Sequence, residues 1–126
     1  MKKILIVDDH SAIVDLVKDR LEANHYIVVT AGDGNLAIKV AKEQKPNLII
    51  MDIMMPNLSG GDAVKLLKSD LETKHIPVIF LTAVMSNLPS SGEEKSVNVD
   101  GQFYTAISKP FKAEKLLFEI RRVLGE

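Results

Sequence analysis

The chain has 126 residues, 46% of them hydrophobic and 26% charged, with a formal net charge of -1 and no cysteine. That supports one soluble domain, residues 1–126, with a single sizeable core. It argues against a nucleic-acid module driven by phosphate neutralisation, and it excludes disulfides, thiolate metal sites and thiol nucleophiles. No apolar run is long enough to cross a bilayer, and "MKKILIVDDH" meets acid too early for a signal peptide, so the expected location is cytoplasmic, away from membranes.

The first apolar run, "KILIVD" (3–8), is short, β-branched and without polar alternation, and it ends on Asp8 and Asp9. Continuous runs of this kind suit strands covered on both faces, as in a parallel sheet. In "SAIVDLVKDRLEA" (11–23), Ile13, Val14, Val17 and Leu21 share a helical face, with Ser11 as N-cap. "YIVVT" (26–30) is the second strand, and "DGNLAIKVAKEQ" (33–44) groups Ala37, Val40 and Ala41 behind the cap Asp33. "NLIIMD" (47–52) ends on Asp52. "SGGDAVKLLKSDL" (59–71) then gathers Ala63, Val64, Leu67 and Leu71 behind Ser59, with Gly60 and Gly61 shaping the helix entry. "PVIFLT" (77–82) ends on Thr82.

The next stretch, "AVMSNLPSSGEEKSVNVD" (83–100), carries the loop-forming run Pro89, Ser90, Ser91, Gly92. It supports at most a short helix from about Gly92 to Val97, and residues 84 to 98 are expected to be the most mobile part of the chain. A fifth strand is predicted within "GQFYTAIS" (101–108). After "KPF", residues 112–124 place Leu116, Leu117, Ile120 and Val123 on one side. No repeat, low-complexity tract or interdomain linker interrupts this order.

Strands alternating with helices predict an α/β fold: a doubly wound, five-stranded parallel sheet with helices on both faces. Ligands of such sheets bind at the carboxyl ends of the strands, where the strand order reverses. With strand order 2-1-3-4-5, Asp8, Asp9 and Asp52 meet at that point, and Thr82 and Lys109 reach the same edge. Three crowded carboxylates repel one another, and a hard divalent cation with oxygen ligands, Mg²⁺, would offset that repulsion. Singly, each residue has an ordinary structural account: Asp8 and Asp9 as partners of a helix dipole, Asp52 as a turn residue, Thr82 as a strand-end hydroxyl, Lys109 as a solvated charge. Together, all five end predicted strands on one edge.

In order, "ILIVDDH", "IIMDIMMPNLSG", "PVIFLTA" and "SKPF" closely resemble the motifs of the two-component response-regulator receiver domain, over essentially the whole chain. The resemblance implies a CheY-like (flavodoxin-like) fold. It implies Asp52 as phosphoacceptor; Asp9, Asp52 and the main-chain carbonyl of Met54 as Mg²⁺ ligands; and Asp8 acting on the ion through water. Thr82 and Lys109 would contact the phosphoryl group, and Lys109–Pro110 would be a cis peptide. The implied function is a stand-alone signalling switch rather than an enzyme, catalysing only its own aspartyl phosphorylation and dephosphorylation. A histidine kinase or a histidine phosphotransfer protein would donate the phosphoryl group. A downstream partner protein would read the 83–108 face, and the chain would be a monomer or a weak dimer on phosphorylation.

The chemistry of these residue types agrees. A carboxylate attacks phosphorus to give an acyl phosphate, and phosphoryl transfer asks for little beyond in-line positioning and positive charge. The alternatives are a small Mg²⁺-dependent phosphohydrolase of similar topology and an FMN binder; the 5% aromatic content, the absence of tryptophan and the acidic edge argue against the latter. His10 beside the acidic pair either tunes the site or is a solvent-exposed helix start, while His25 and His75 read as surface residues. The pattern departs from the family at one position. Receiver domains usually carry an aromatic three residues before the lysine, where this chain has Ala106. Tyr104 shares the strand parity of Ala106 and would face the same side. The output region is longer than the family pattern as well.

Overall fold

A computed structural model describes residues 1–55, 58–82 and 94–126; the side chains of Thr82, Glu94 and Lys95 lie outside the description. Among the described residues, six strands form one sheet, in the order β2-β1-β3-β4-β6-β5. They are β1 (Lys3–Val7), β2 (Ile27–Ala31), β3 (Leu48–Asp52), β4 (Val78–Thr82), β5 (Glu94–Val99) and β6 (Gln102–Ser108). The helices are α1 (Ser11–Ala23), α2 (Gly34–Gln44), α3 (Gly60–Lys68) and α4 (Ala113–Leu124). Five of the strands pair in parallel, in the order 2-1-3-4-5 on which the sequence reading relies, with "GQFYTAIS" supplying β6.

The period of two along each strand divides the core. Ile4, Ile6, Leu48, Ile50, Ile79 and Leu81 face one side, where Val17 and Leu21 of α1 and Leu116, Leu117 and Ile120 of α4 cover them. Leu5, Val7, Ile49, Met51 and Phe80 face the other, against Ala37 and Ala41 of α2 and Ala63, Val64 and Leu67 of α3. Burial on both faces is why these strands read as unbroken apolar runs.

Asp33 caps α2 by accepting from the Leu36 N–H, and Ser59 caps α3 by accepting from the Asp62 N–H. Two local readings change. Ser11 is the first residue of α1 rather than its cap; the N-cap is His10, whose side chain does not cap the helix. Leu71 lies beyond the end of α3 and is exposed, because the helix stops at Lys68 and the chain turns there.

The larger correction is β5. Residues 94–97, expected to be part of a short helix, instead form an edge strand antiparallel to β6. Val99 pairs with Gln102 across the two-residue turn Asp100–Gly101, where both φ angles are positive, +51° and +84°. Such turns join antiparallel strands, and Asp-Gly is their strongest short-range signal. The expected mobility of residues 84 to 98 falls largely on residues 83–93, outside the described residues. Among the described residues, no helix is long and apolar enough to cross a membrane.

Candidate functional site

The site is built where β1, β3 and β6 end. Asp8 follows β1 directly and continues its ladder, donating its N–H to the Ala31 carbonyl at 3.2 Å. Asp52 is the last residue of β3, in register with Leu81 of β4. Neither needs a strained backbone to reach the edge; the strands deliver them. The chain after Asp52 is drawn tightly back over β3. The Gly60 N–H donates to the Ile53 carbonyl at 2.9 Å, and a Cβ on Gly60 would sit 2.3 Å from the Asp52 carbonyl oxygen. Only glycine allows that approach, so the residue that opens α3 also shapes the loop beside Asp52.

Asp8 and Asp52 are buried, with 3% and 2% of their surface exposed, while Asp9 stands at the rim. The Lys109 ammonium lies 2.8 Å from Asp8 Oδ2 and 3.5 Å from Asp52 Oδ2, and Lys109–Pro110 is cis. Asp52 Oδ1 accepts from the Met54 N–H at 3.1 Å. Asp8 Oδ1 accepts from the His10 main-chain N–H at 2.9 Å. The His10 side chain leans over the cluster from the solvent side, its Nδ1 3.0 Å from Asp8 Oδ1, 3.2 Å from Asp9 Oδ1 and 3.9 Å from Asp52 Oδ2.

The electrostatics separate the two buried carboxylates. Burial raises the Asp8 pKa, but the hydrogen bonds from Lys109 and His10 outweigh it and hold the group below its ordinary value. Asp52 moves the other way. Burial and the neighbouring charge of Asp8 raise its pKa, and the more distant Lys109 only partly opposes them. Burial acts on both carboxylates, but the cation and the His10 hydrogen bonds sit closer to Asp8, and the Asp8 charge works against Asp52, which produces this split.

Asp8, Asp9, His10 and Asp52 each present a donor atom, all within 4.8 Å of one another. Three carboxylates with a net excess of negative charge are a donor set that fits a hard divalent cation. The cluster is therefore chemically suited to Mg²⁺.

The structure brings together Asp8, Asp9, Asp52 and Lys109, as the strand-end reading predicts. Met54 enters through its main chain, and its side chain is exposed. Thr82 ends β4 in register with Ser108, the residue before Lys109. His10 is both of the things the sequence offered: 61% of its side chain is exposed, yet its ring touches the site. Its contact was legible in "VDDH" only as adjacency. Ala106 is fully buried opposite Phe80, and Tyr104 packs edge-on against Phe80 with ring centroids 5.7 Å apart, on the same face of the sheet. That parity follows the sequence reading.

Comparison with known proteins bears directly on this geometry. A model of the response regulator receiver domain matches residues 4–121. The polar-differentiation response regulators DivK of Brucella anthropi and Brucella ovis are each 35% identical over 125 residues, covering 99% of this chain and 98% of theirs. Among solved structures, the Vibrio cholerae chemotaxis protein CheY4 superposes with a TM-score of 0.81 at 28% identity, covering 98% of both chains. The receiver domain of the sensor histidine kinase PA1611 from Pseudomonas aeruginosa PAO1 superposes with a TM-score of 0.82 at 26% identity, over 99% of this chain and 98% of its own. That structure holds a magnesium ion coordinated in its active site cleft.

Proposed function

The chain belongs to the response regulator receiver domain family of two-component signalling, and from that premise we propose that it is a phosphorylation-activated switch with Asp52 as phosphoacceptor. The observation that carries the assignment is the buried Asp52 carboxylate at the end of β3, with Lys109 3.5 Å away and Asp8 and Asp9 beside it. The donor is a phosphohistidine on a histidine kinase or a histidine phosphotransfer protein. An Asp52 carboxylate oxygen attacks phosphorus, the P–N bond breaks, and the departing imidazole keeps the bonding pair. The product is an aspartyl phosphate.

Each residue has a task that its position supports. The Met54 N–H holds one Asp52 oxygen at 3.1 Å and so fixes the orientation of the carboxylate. Lys109 places a cation where charge develops on the transferring phosphoryl oxygens. Asp9, Asp52 and the Met54 main-chain carbonyl would hold Mg²⁺, with Asp8 acting through water. When bound, the ion supplies further positive charge for those oxygens and offsets the repulsion among the carboxylates.

Phosphorylation adds negative charge at Asp52 and changes the balance of a lysine now held more closely by Asp8 than by Asp52. Lys109 continues directly from β6, and Thr82 and Ser108 are partners at the ends of β4 and β6. Movement there reaches the β5–β6 hairpin and the 83–108 face, where a downstream partner would read it. With Ala106 in place of the usual aromatic, Tyr104 on Phe80 is the ring that would report the change.

The reading is tested by incubating the protein with acetyl phosphate and Mg²⁺ and measuring its intact mass. A single labile phosphate adduct that disappears in Asp52→Asn is expected. An unchanged adduct in Asp52→Asn would overturn the assignment, and continuous phosphate release from many esters would favour the phosphohydrolase instead.

A further inference from the structure

The carboxylates account for a hard cation, but a softer fourth donor converges on the same point. The distances from His10 Nδ1 to the nearest oxygens of Asp8, Asp9 and Asp52 are 3.0, 3.2 and 3.9 Å. Neighbouring donors around a six-coordinate divalent ion with bonds of about 2.1 Å stand about 3.0 Å apart, and opposite donors about 4.2 Å. For Asp9 and Asp52, the two carboxylates read as direct ligands, the His10 separations of 3.2 and 3.9 Å lie between those two values, so the imidazole nitrogen can join their ligand set.

The ligand types in that set differ in selectivity. Carboxylate oxygens suit Mg²⁺, whereas imidazole suits first-row transition ions such as Ni²⁺ and Zn²⁺. We propose that His10 is a metal-discriminating ligand, and that the acidic centre is a mixed carboxylate–imidazole site favouring divalent transition ions over Mg²⁺ beyond what its carboxylates alone would give. The proposal deepens the reading of the centre as a Mg²⁺-binding phosphoacceptor site and rests on it. It makes the phosphoacceptor sensitive to which divalent ion is available. Without an ion, the same ring lies at hydrogen-bonding distance from Asp8 and Asp9, and one ring nitrogen cannot be both a proton donor and a metal ligand. The two roles are therefore separable by experiment.

The test is calorimetric titration of Mg²⁺, and separately of Ni²⁺, into metal-stripped wild-type protein and His10→Asn at neutral pH. The expected result is that the ratio of Ni²⁺ to Mg²⁺ affinity falls roughly tenfold or more in the variant. An unchanged ratio, including equal losses for both ions, overturns the proposal. A direct measurement on the wild type guards against a misfolded variant. With ¹⁵N-labelled histidine, stoichiometric Zn²⁺ should move the His10 ring resonances before those of the exposed His25 and His75, and Mg²⁺ should not. Zn²⁺ reaching His25 or His75 first overturns it as well. Wild-type protein that takes Ni²⁺ through His10 but shows no Mg²⁺ binding would support His10 as a ligand while sinking the Mg²⁺ reading, so the two failures are distinct.

Discussion

Asp52 and Asp8 are the same residue type at adjacent strand ends, and their surroundings push them in opposite directions. This has a consequence for stability that can be signed. A carboxyl whose folded pKa is raised binds its proton more tightly in the folded state. In metal-free buffer, Asp52 therefore costs stability as pH rises from its unfolded value, near 3.8, through its raised folded value. Asp8, held low, contributes stability above the ordinary carboxylate range and loses it as pH falls through its depressed value. Asp52→Asn should accordingly stabilise the metal-free protein at neutral pH by about 1 kcal/mol, a gain that vanishes in acid. Lys109 keeps its closer partner, Asp8, in that variant. Thermal melts in chelator at neutral and acid pH check this, and a variant less stable than wild type at neutral pH would contradict it.

The same scale separates the roles of the acidic pair. Asp9 is assigned direct ligation and Asp8 ligation through water, so Asp9→Ala should weaken Mg²⁺ binding more than Asp8→Ala. Asp8→Ala should cost more in folding stability, because it leaves Lys109 without the partner at 2.8 Å. Mg²⁺ titration and chemical denaturation of both variants read the two effects independently. Equal Mg²⁺ losses would mean that Asp8 also binds directly.

At the scale of elements, one glycine joins a helix start to the site. Gly60→Ala would set a Cβ 2.3 Å from the Asp52 carbonyl oxygen, a backbone contact that no side-chain rotation relieves. The end of β3 or the start of α3 must shift. A loss of roughly 1–3 kcal/mol is expected, together with slower adduct formation from acetyl phosphate, because the loop carrying Met54 moves with it. Gly61 has open space around its Cβ position, with Ser59 Oγ 4.0 Å away, so Gly61→Ala serves as the control and should leave both measurements near wild type. The β5–β6 hairpin shows the other kind of element. Its Asp100–Gly101 turn, flanked by Val97, Val99 and Phe103, is a hairpin signal that a reading by βα alternation alone does not use.

At the scale of the whole molecule, α1 and residues 109–111 leave an open depression of about 460 Å³ beside the site, lined by His10, Ile13, Leu16, Val17, Lys109, Pro110 and Phe111. α1 and the start of the segment into α4 meet there, next to the acidic cluster of Asp8, Asp9 and Asp52. A protein donor that brings its histidine to Asp52, as proposed, would cover this rim, and Leu16 lies on it with 63% of its surface exposed. Leu16→Glu should slow phosphoryl transfer from a protein donor by roughly tenfold, the loss of an apolar contact and the burial of a charge. Its adduct formation from acetyl phosphate should stay near wild type, since a small donor needs no such surface. Equal slowing with both donors would place the effect inside the site rather than at the rim.

The continuous apolar runs and the helical stripes determined by themselves the five parallel strands, the helices now seen as α1 to α4 and the helical cover on both faces of the sheet. They did so because burial on both faces leaves a strand no polar positions. Strand ends were equally legible, and with them Asp8, Asp9, Asp52 and Lys109, since a parallel sheet carries the residue after each apolar run to the same edge. Three things only the tertiary structure decided. β5 turned 94–97 into strand, because an edge partner on β6 and a tight Asp-Gly turn outweigh weak local propensity. His10 came over the acidic cluster because ring orientation depends on charges from two strands that adjacency in sequence does not report. The opposite shifts of Asp8 and Asp52 came from burial of both, offset at Asp8 by hydrogen bonds from Lys109 at 2.8 Å and from His10, and deepened at Asp52 by the neighbouring Asp8 charge.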